Sequence, residues 1–109
     1  MNVASLELCK ELYELSGWSD TDYTYYANAG QHSGTMMHRS LVFDKPENLP
    51  AYDAGCLLSK LPRGLIVRSN TDEADWVASY MQSVHYANTP EDALCKIAIE
   101  LFDLGDLSK

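Results

Sequence analysis

Three histidines, His32, His38 and His85, and three cysteines, Cys9, Cys56 and Cys95, are the side chains of this chain best suited to hold a metal or attack a substrate. A metal site needs such groups clustered in space, and sequence often signals it by pairs two to four residues apart. No such pair occurs, because His32 and His38 fall on different expected elements and no Cys-x-x-Cys or His-Glu-x-x-His run is present. Nucleophilic catalysis would want a serine or cysteine in a recognisable setting beside a base. No Gly-x-Ser-x-Gly elbow occurs, and none of the three cysteines sits in the surroundings of a known thiol enzyme. The expectation is therefore no catalytic residue, no metal and no cofactor. The widely spaced, odd-numbered cysteines read as free buried thiols, which fits a reducing cytoplasm.

The remaining acid–base candidates are the carboxylate pairs Asp20/Asp22, Asp72/Glu73 and Glu91/Asp92. All three lie at turns or at a helix start, where acids serve solubility and capping. Gly30 and Gly34 belong to a loop with no Lys-Ser/Thr after it, so no phosphate-cradling pattern is formed. A pocket assembled from distant groups such as His38, His85 and Asp53 stays open as an alternative, either a small-ligand site or a minor enzyme. The one unusual cluster is aromatic: Trp18, Tyr23, Tyr25 and Tyr26. On a strand, Tyr23 and Tyr25 face one side and Tyr26 the other. One side belongs to the core, and the other leaves aromatic surface of the kind enriched at binding hot spots. These four residues are the candidate interaction surface.

The elements that must position these groups follow from periodicity. Val3 to Ser16 reads as a helix with Leu8, Leu12 and Leu15 on one stripe and Gly17 as its stop. Tyr23 to Ala27 and Thr35 to Phe43 read as strands joined by a loop. Asp44 to Pro50 reads as a linker with a proline at each end, and Ala51 to Leu61 as a short helix stopped by Pro62. Gly64 to Arg68 is a strand. Trp76 to Met81 and Val84 to Ala87 form either a hairpin around Gln82-Ser83 or one longer strand.

The last quarter carries the fullest set of helix signals. Thr89 caps, Pro90 takes the first helical position, and Glu91 and Asp92 meet the positive end of the helix dipole. Leu94, Ile97, Ala98, Leu101 and Phe102 form an apolar face, and Gly105 ends the helix. The whole is expected to be one α+β domain over residues 1–109. Its order is α-β-β-α-β-β(-β)-α: one antiparallel sheet of four or five strands, with about three helices mainly on one face.

Composition bounds the function. At 109 residues, 46% hydrophobic and 22% charged, the chain can build a core without a metal or disulfide. No apolar run reaches the roughly 18 residues needed to span a bilayer. Met1 to Glu7 shows no basic stretch followed by an apolar block, so no signal peptide is expected. The net charge of −8 is unevenly spread. Residues 1–22 set Lys10 against Glu7, Glu11, Glu14, Asp20 and Asp22, and residues 71–109 set Lys96 and Lys109 against eight acids. Residues 23–70 are mildly basic, with Arg39, Lys45, Lys60, Arg63 and Arg68 against Asp44, Glu47 and Asp53. Phosphate repels an acidic molecule, so nucleic acid and anionic membrane are poor partners for most of this surface.

Residues 51 to 104 run helix, three strands, helix, and in that order alone the chain resembles the double-stranded-RNA-binding domain. That family reads phosphates with a basic cluster at the start of its second helix. Here Glu91 and Asp92 stand at that start, with Lys96 alone further along, so RNA binding is rejected. A second resemblance covers most of the chain. Leu6-Glu7-Leu8-Cys9-Lys10-Glu11-Leu12-Tyr13, Tyr52-Asp53-Ala54-Gly55-Cys56-Leu57-Leu58-Ser59-Lys60-Leu61-Pro62 and Thr89-Pro90-Glu91-Asp92-Ala93-Leu94 resemble small uncharacterised proteins encoded by bacterial phages and prophages. That resemblance implies a bacterial, cytoplasmic setting and brings no catalytic residue with it. The reading is a small acidic, non-enzymatic protein that binds another protein or associates with itself as a homodimer.

Overall fold

Helix α3, Pro90–Asp103, organises the computed structural model of this chain. Its ends form as the local sequence dictates. The Thr89 hydroxyl accepts from the Asp92 N–H at 3.1 Å, Pro90 opens the first turn, and Gly105 takes φ +82° past the last turn. An amphipathic surface helix buries one stripe, whereas α3 buries Glu91, Ala93, Leu94, Cys95, Ile97, Ala98, Ile99 and Leu101. Those positions cover most of its circumference and leave one partly exposed stripe at Asp92, Lys96, Glu100 and Asp103, so the helix is covered on more than one side.

The structure describes residues 3–28, 31–38, 49–69, 75–105 and 107, and for 26–28 and 31–38 it describes the backbone. The chain runs α1 (Leu6–Ser16), β1 (Tyr23–Asn28), β2 (Gln31–His38), β3 (Leu49–Ala51), α2 (Ala54–Lys60), β4 (Ile66–Ser69), β5 (Trp76–Tyr80), β6 (Ser83–Ala87) and α3. The α+β class and the three helices are as expected. Among the described residues the strands form two three-stranded antiparallel sheets, ordered β2-β1-β3 and β4-β5-β6, and the expected single sheet of four or five is not seen there. Helix α1 packs between β3 and α3, and α3 packs on the second sheet, so the layers run sheet, α1, α3, sheet.

The other two helices start and stop on the same local chemistry. Ser5 caps α1 through the Leu8 N–H, and Asp53 caps α2 through the Cys56 N–H at 2.7 Å. Gly17 closes α1 at φ +69°, donating to Tyr13 O at 2.8 Å, a left-handed conformation that costs glycine little. The Asp53 cap also explains why α2 begins later than periodicity suggests: Ala51 is drawn into a strand instead. That strand, β3, takes the last two residues of the stretch expected to be linker and the first of the expected helix. It pairs Leu49 with Tyr25, Pro50 with Thr24 and Ala51 with Tyr23. Proline lacks the donor that a central strand needs, and β3 accordingly sits at the sheet edge.

Strand β2 starts four residues earlier than expected, at Gln31, and a register shift lies between Tyr25 and Ala27 of β1. Residues 39–43 of the expected second strand, 44–48 of the linker and 70–72 of the turn after β4 lie outside the described residues. Trp76 to Ala87 is a hairpin, with Tyr80 facing Ser83 across a two-residue turn at Met81 and Gln82. Met81 holds φ 55° there and is 85% exposed.

The core closes around Tyr52, Leu12, Leu57, Leu94, Ile97 and Leu101, each under 2% exposed. The segment before α1 is fastened to this core. The Ala4 N–H donates to Tyr52 O at 2.8 Å, and Ala4 O accepts from the Tyr25 hydroxyl at 2.6 Å. The Ser5 N–H donates to Asp92 Oδ1 at 2.7 Å, joining the starts of α1 and α3.

Two measurements check this architecture. In urea unfolding, Leu94→Ala should cost about 3 kcal/mol, because it opens a cavity at the centre. Leu104→Ala, at a 62% exposed position, should stay within about 0.5 kcal/mol of the parent. Met81→Gly should raise stability by about 0.5–1 kcal/mol, since glycine relieves the positive φ. A lower unfolding midpoint for that variant would show that the Met81 conformation is not strained.

Candidate interaction surface

Burial sorts the four aromatic residues differently from strand alternation alone. Tyr25 is a core residue, 7% exposed, and its hydroxyl is consumed by Ala4 O. Burial, with the nearby Cys9 thiol and the Asp92 carboxylate acting in the same direction, pushes that hydroxyl up to about 12. Its neighbour Thr24 is also buried, so β1 is covered on both faces at this point. Tyr25 therefore leaves the candidate surface. Tyr23 is half-buried and packs against the core. The side chain of Tyr26 lies outside the described residues.

Trp18 keeps part of its ring at the surface and is held on several sides. Its ring meets Phe102 edge-on at 5.2 Å between centroids, and Lys60 Nζ lies 5.8 Å from the ring centre. Its N–H donates to Ser16 Oγ at 3.1 Å, and its carbonyl accepts from the Tyr52 hydroxyl at 2.6 Å. Lys60 also pairs with Asp20 at 2.9 Å, and that hydrogen-bonded carboxylate raises the pKa of the ammonium. Trp18 is thus a fixed, partly exposed aromatic on the α1–β1 connection.

The groups considered for catalysis or ligand binding have structural partners. The Asp53 carboxylate caps α2. His85 Nε2 lies 2.9 Å from Glu100 Oε2, tying β6 to α3. Hydrogen bonds from Ser83 and then His85 hold the Glu100 carboxyl below the usual range. Serine, histidine and glutamate do meet here, but both Ser83 and His85 address the carboxylate. A serine nucleophile needs its hydroxyl on the imidazole instead. The His32 and His38 side chains and the Asp72/Glu73 pair lie outside the described residues, among which no three His, Cys, Asp or Glu side chains form a group that could hold a metal ion.

Of the acids at the α3 start, Asp92 bonds the Ser5 N–H. Glu91 is 6% exposed, and its Oε1 has no hydrogen-bond partner among the described residues. Its place in the first helical turn sets it against the positive end of the helix dipole. All three cysteines are free, as expected. Burial pushes the Cys9 thiol up to about 12 and Cys56 up to about 11, and it raises Cys95 as well. Such thiols stay protonated and react slowly.

Sequence reasoning missed the side of the second sheet turned away from α3. Paired residues across antiparallel strands share a face. Val67, Ala78 and His85 line up beneath α3, and Ala78 is fully buried. The opposite face carries Ile66, Ser79 and Val84 in one row and Arg68, Val77 and Tyr86 in the next. Ile66 is 57% exposed, Val84 47% and Tyr86 46%. Alternation in Ser83 to Ala87 was the available signal: Val84 and Tyr86 share one face, which is exposed on its outer strands while Val77 at its centre is buried. Among the described residues, no helix is long and apolar enough to cross a membrane.

No protein-family model matches the chain, and neither the curated proteins nor the solved structures searched give a match.

Alkylation of the native protein tests the packing around the thiols. Cys56, which is half-buried, should react first with a maleimide, while Cys9 and Cys95 react only on unfolding. Equal rates at all three, read by mass spectrometry, would contradict the buried placement of Cys9 and Cys95.

Proposed function

We propose that this chain is a small acidic, non-enzymatic protein-binding module that acts in the bacterial cytoplasm, derives from a phage or other mobile element, and modulates a host factor. The observation that carries the reading is the outward face of the second sheet. Ile66, Val84 and Tyr86 each leave roughly half their surface in water, and the opposite face is fixed to α3. A rigidly backed tyrosine flanked by aliphatic groups offers binding area at a low ordering cost. Trp18, immobilised by Phe102 and Lys60, adds a second aromatic anchor.

The acidic balance supports a further feature of the same reading. Glu7, Glu11 and Glu14 are exposed along α1, with Lys10 among them. Such a row can occupy a cationic groove in the host factor, in the manner of a nucleic-acid backbone.

The test is affinity capture of the tagged protein from bacterial lysate at low and high salt, read by mass spectrometry. The parent should retain one stoichiometric partner, and a folded Val84→Ser/Tyr86→Ser variant should lose it. Steep weakening with salt is expected if α1 contributes. Equal capture by parent and variant, or no partner at either salt, would overturn the role of this face.

A further inference from the structure

We infer that the outer edge of β4, which pairs with no strand among the described residues, is a docking strand for an extended, acidic segment of a partner protein. This rests on the protein-binding reading and adds the site and the chemistry of what it takes. The hairpin register decides which backbone groups are free. A two-residue turn makes Tyr80 and Ser83 a hydrogen-bonded pair, so Ala78/His85 and Trp76/Ala87 are hydrogen-bonded as well. Val77 and Ser79 then direct their N–H and C=O groups to β4, where they meet Arg68 and Ile66. Val67 and Ser69 are left with their backbone groups pointing away from the sheet. The same alternation aims the backbone of Val84 and Tyr86 off the β6 edge, and Lys96 Nζ donates to Tyr86 O there at 2.9 Å.

The two edges therefore differ. Lys96 engages β6, a common way of blunting an edge strand. Strand β4 stands at the other side of the sheet with Ile66, Arg68 and Ser69 exposed. Charge selects its occupant. Residues 54–69 contain Lys60, Arg63 and Arg68 and no acid, in a chain whose net charge is −8. Lys60 is paired with Asp20, whereas Arg63 and Arg68 are exposed and pair with no acid among the described residues. Salt screens charges beyond about 8–10 Å, so an incoming strand responds chiefly to Arg68 on the edge itself, with Asp75 beyond the Ser69 end of the strand.

Added strands gain affinity from main-chain hydrogen bonds and specificity from alternate side chains. The register fixes that alternation here. On the outward face, one residue of the incoming strand lies beside exposed Ile66 and the next but one beside Arg68. The preferred segment places an apolar residue and an acid two positions apart.

A short fluorescein-labelled peptide of alternating valine and glutamate, titrated with the full chain and read by anisotropy, tests this. It should bind saturably, and a valine–lysine peptide should not. Val67→Pro removes an outward N–H that the sheet does not use, and Arg68→Glu reverses the charge at an exposed position. Each variant, once its native circular dichroism is verified, should weaken binding at least about tenfold, or 1.4 kcal/mol. Unchanged affinity in folded Arg68→Glu would overturn the inference, as would labelled single-stranded oligothymidine binding as tightly as the peptide, which marks a general polyanion site. A lysate partner captured equally by parent and Val67→Pro, with no peptide bound, would overturn the edge and leave the module reading intact. No partner and no peptide would overturn both.

Discussion

Burial of α3 on opposite sides is the constraint from which the rest of the architecture follows. Leu94, Ile97 and Leu101 are almost wholly excluded from water, and full burial of each such side chain contributes about 1.5–3 kcal/mol. A helix buried over most of its circumference must be covered by more than one layer. The second sheet supplies one cover, α1 and α2 the others, and the first sheet is attached beyond α1 through β3. Polar contacts then fix the arrangement. Asp92 binds the Ser5 N–H, Lys96 binds Tyr86 O, and Glu100 binds His85, so three residues of α3 address α1 and β6 in turn.

The same packing accounts for the surfaces left outside. A three-stranded sheet with a helix on one side has, among the described residues, one face and two edges that no further strand or helix covers. In the second sheet those are the Ile66–Val84–Tyr86 face, the β6 edge engaged by Lys96, and the β4 edge. Polar side chains inside the molecule are largely spent on cohesion. Tyr25 and Tyr52 each give a hydroxyl to a backbone carbonyl, at 2.6 Å, which satisfies groups that would otherwise be buried without a partner. Glu91 departs from that pattern. Its buried Oε1, without a hydrogen-bond partner among the described residues, carries a desolvation cost that the helix dipole offsets in part.

Chemistry, too, is decided by connectivity. Ser83, His85 and Glu100 come together from β6 and α3, and the carboxylate accepts from both of the others. That arrangement clamps a hairpin to a helix. Cys9 and Cys95 are likewise buried on the inward faces of α1 and α3, and Cys56 is half-buried on α2.

The three helices were legible from sequence because their signals are local. Thr89 caps α3 three residues ahead, and Gly17 and Gly105 close their helices by conformations that other residues adopt at a cost. The Ser5 and Asp53 caps, which start α1 and α2 later than periodicity suggests, emerge only in the structure. The α+β class, the free thiols and the absence of a bilayer-length apolar run were also present in composition and period. Strand partnership was not, because it joins residues far apart in the chain. Alternation says that Tyr23 and Tyr25 share a face, but only the packed α1 segment makes that face interior. Pro50 reads as a linker residue until β1 offers it an edge to lie against. Division into two sheets, burial of Tyr25 and exposure of Val84 and Tyr86 were settled by which layers α3 gathers around it. Apolar pattern reports that a side chain can be buried, and tertiary packing determines which of the eligible surfaces is covered.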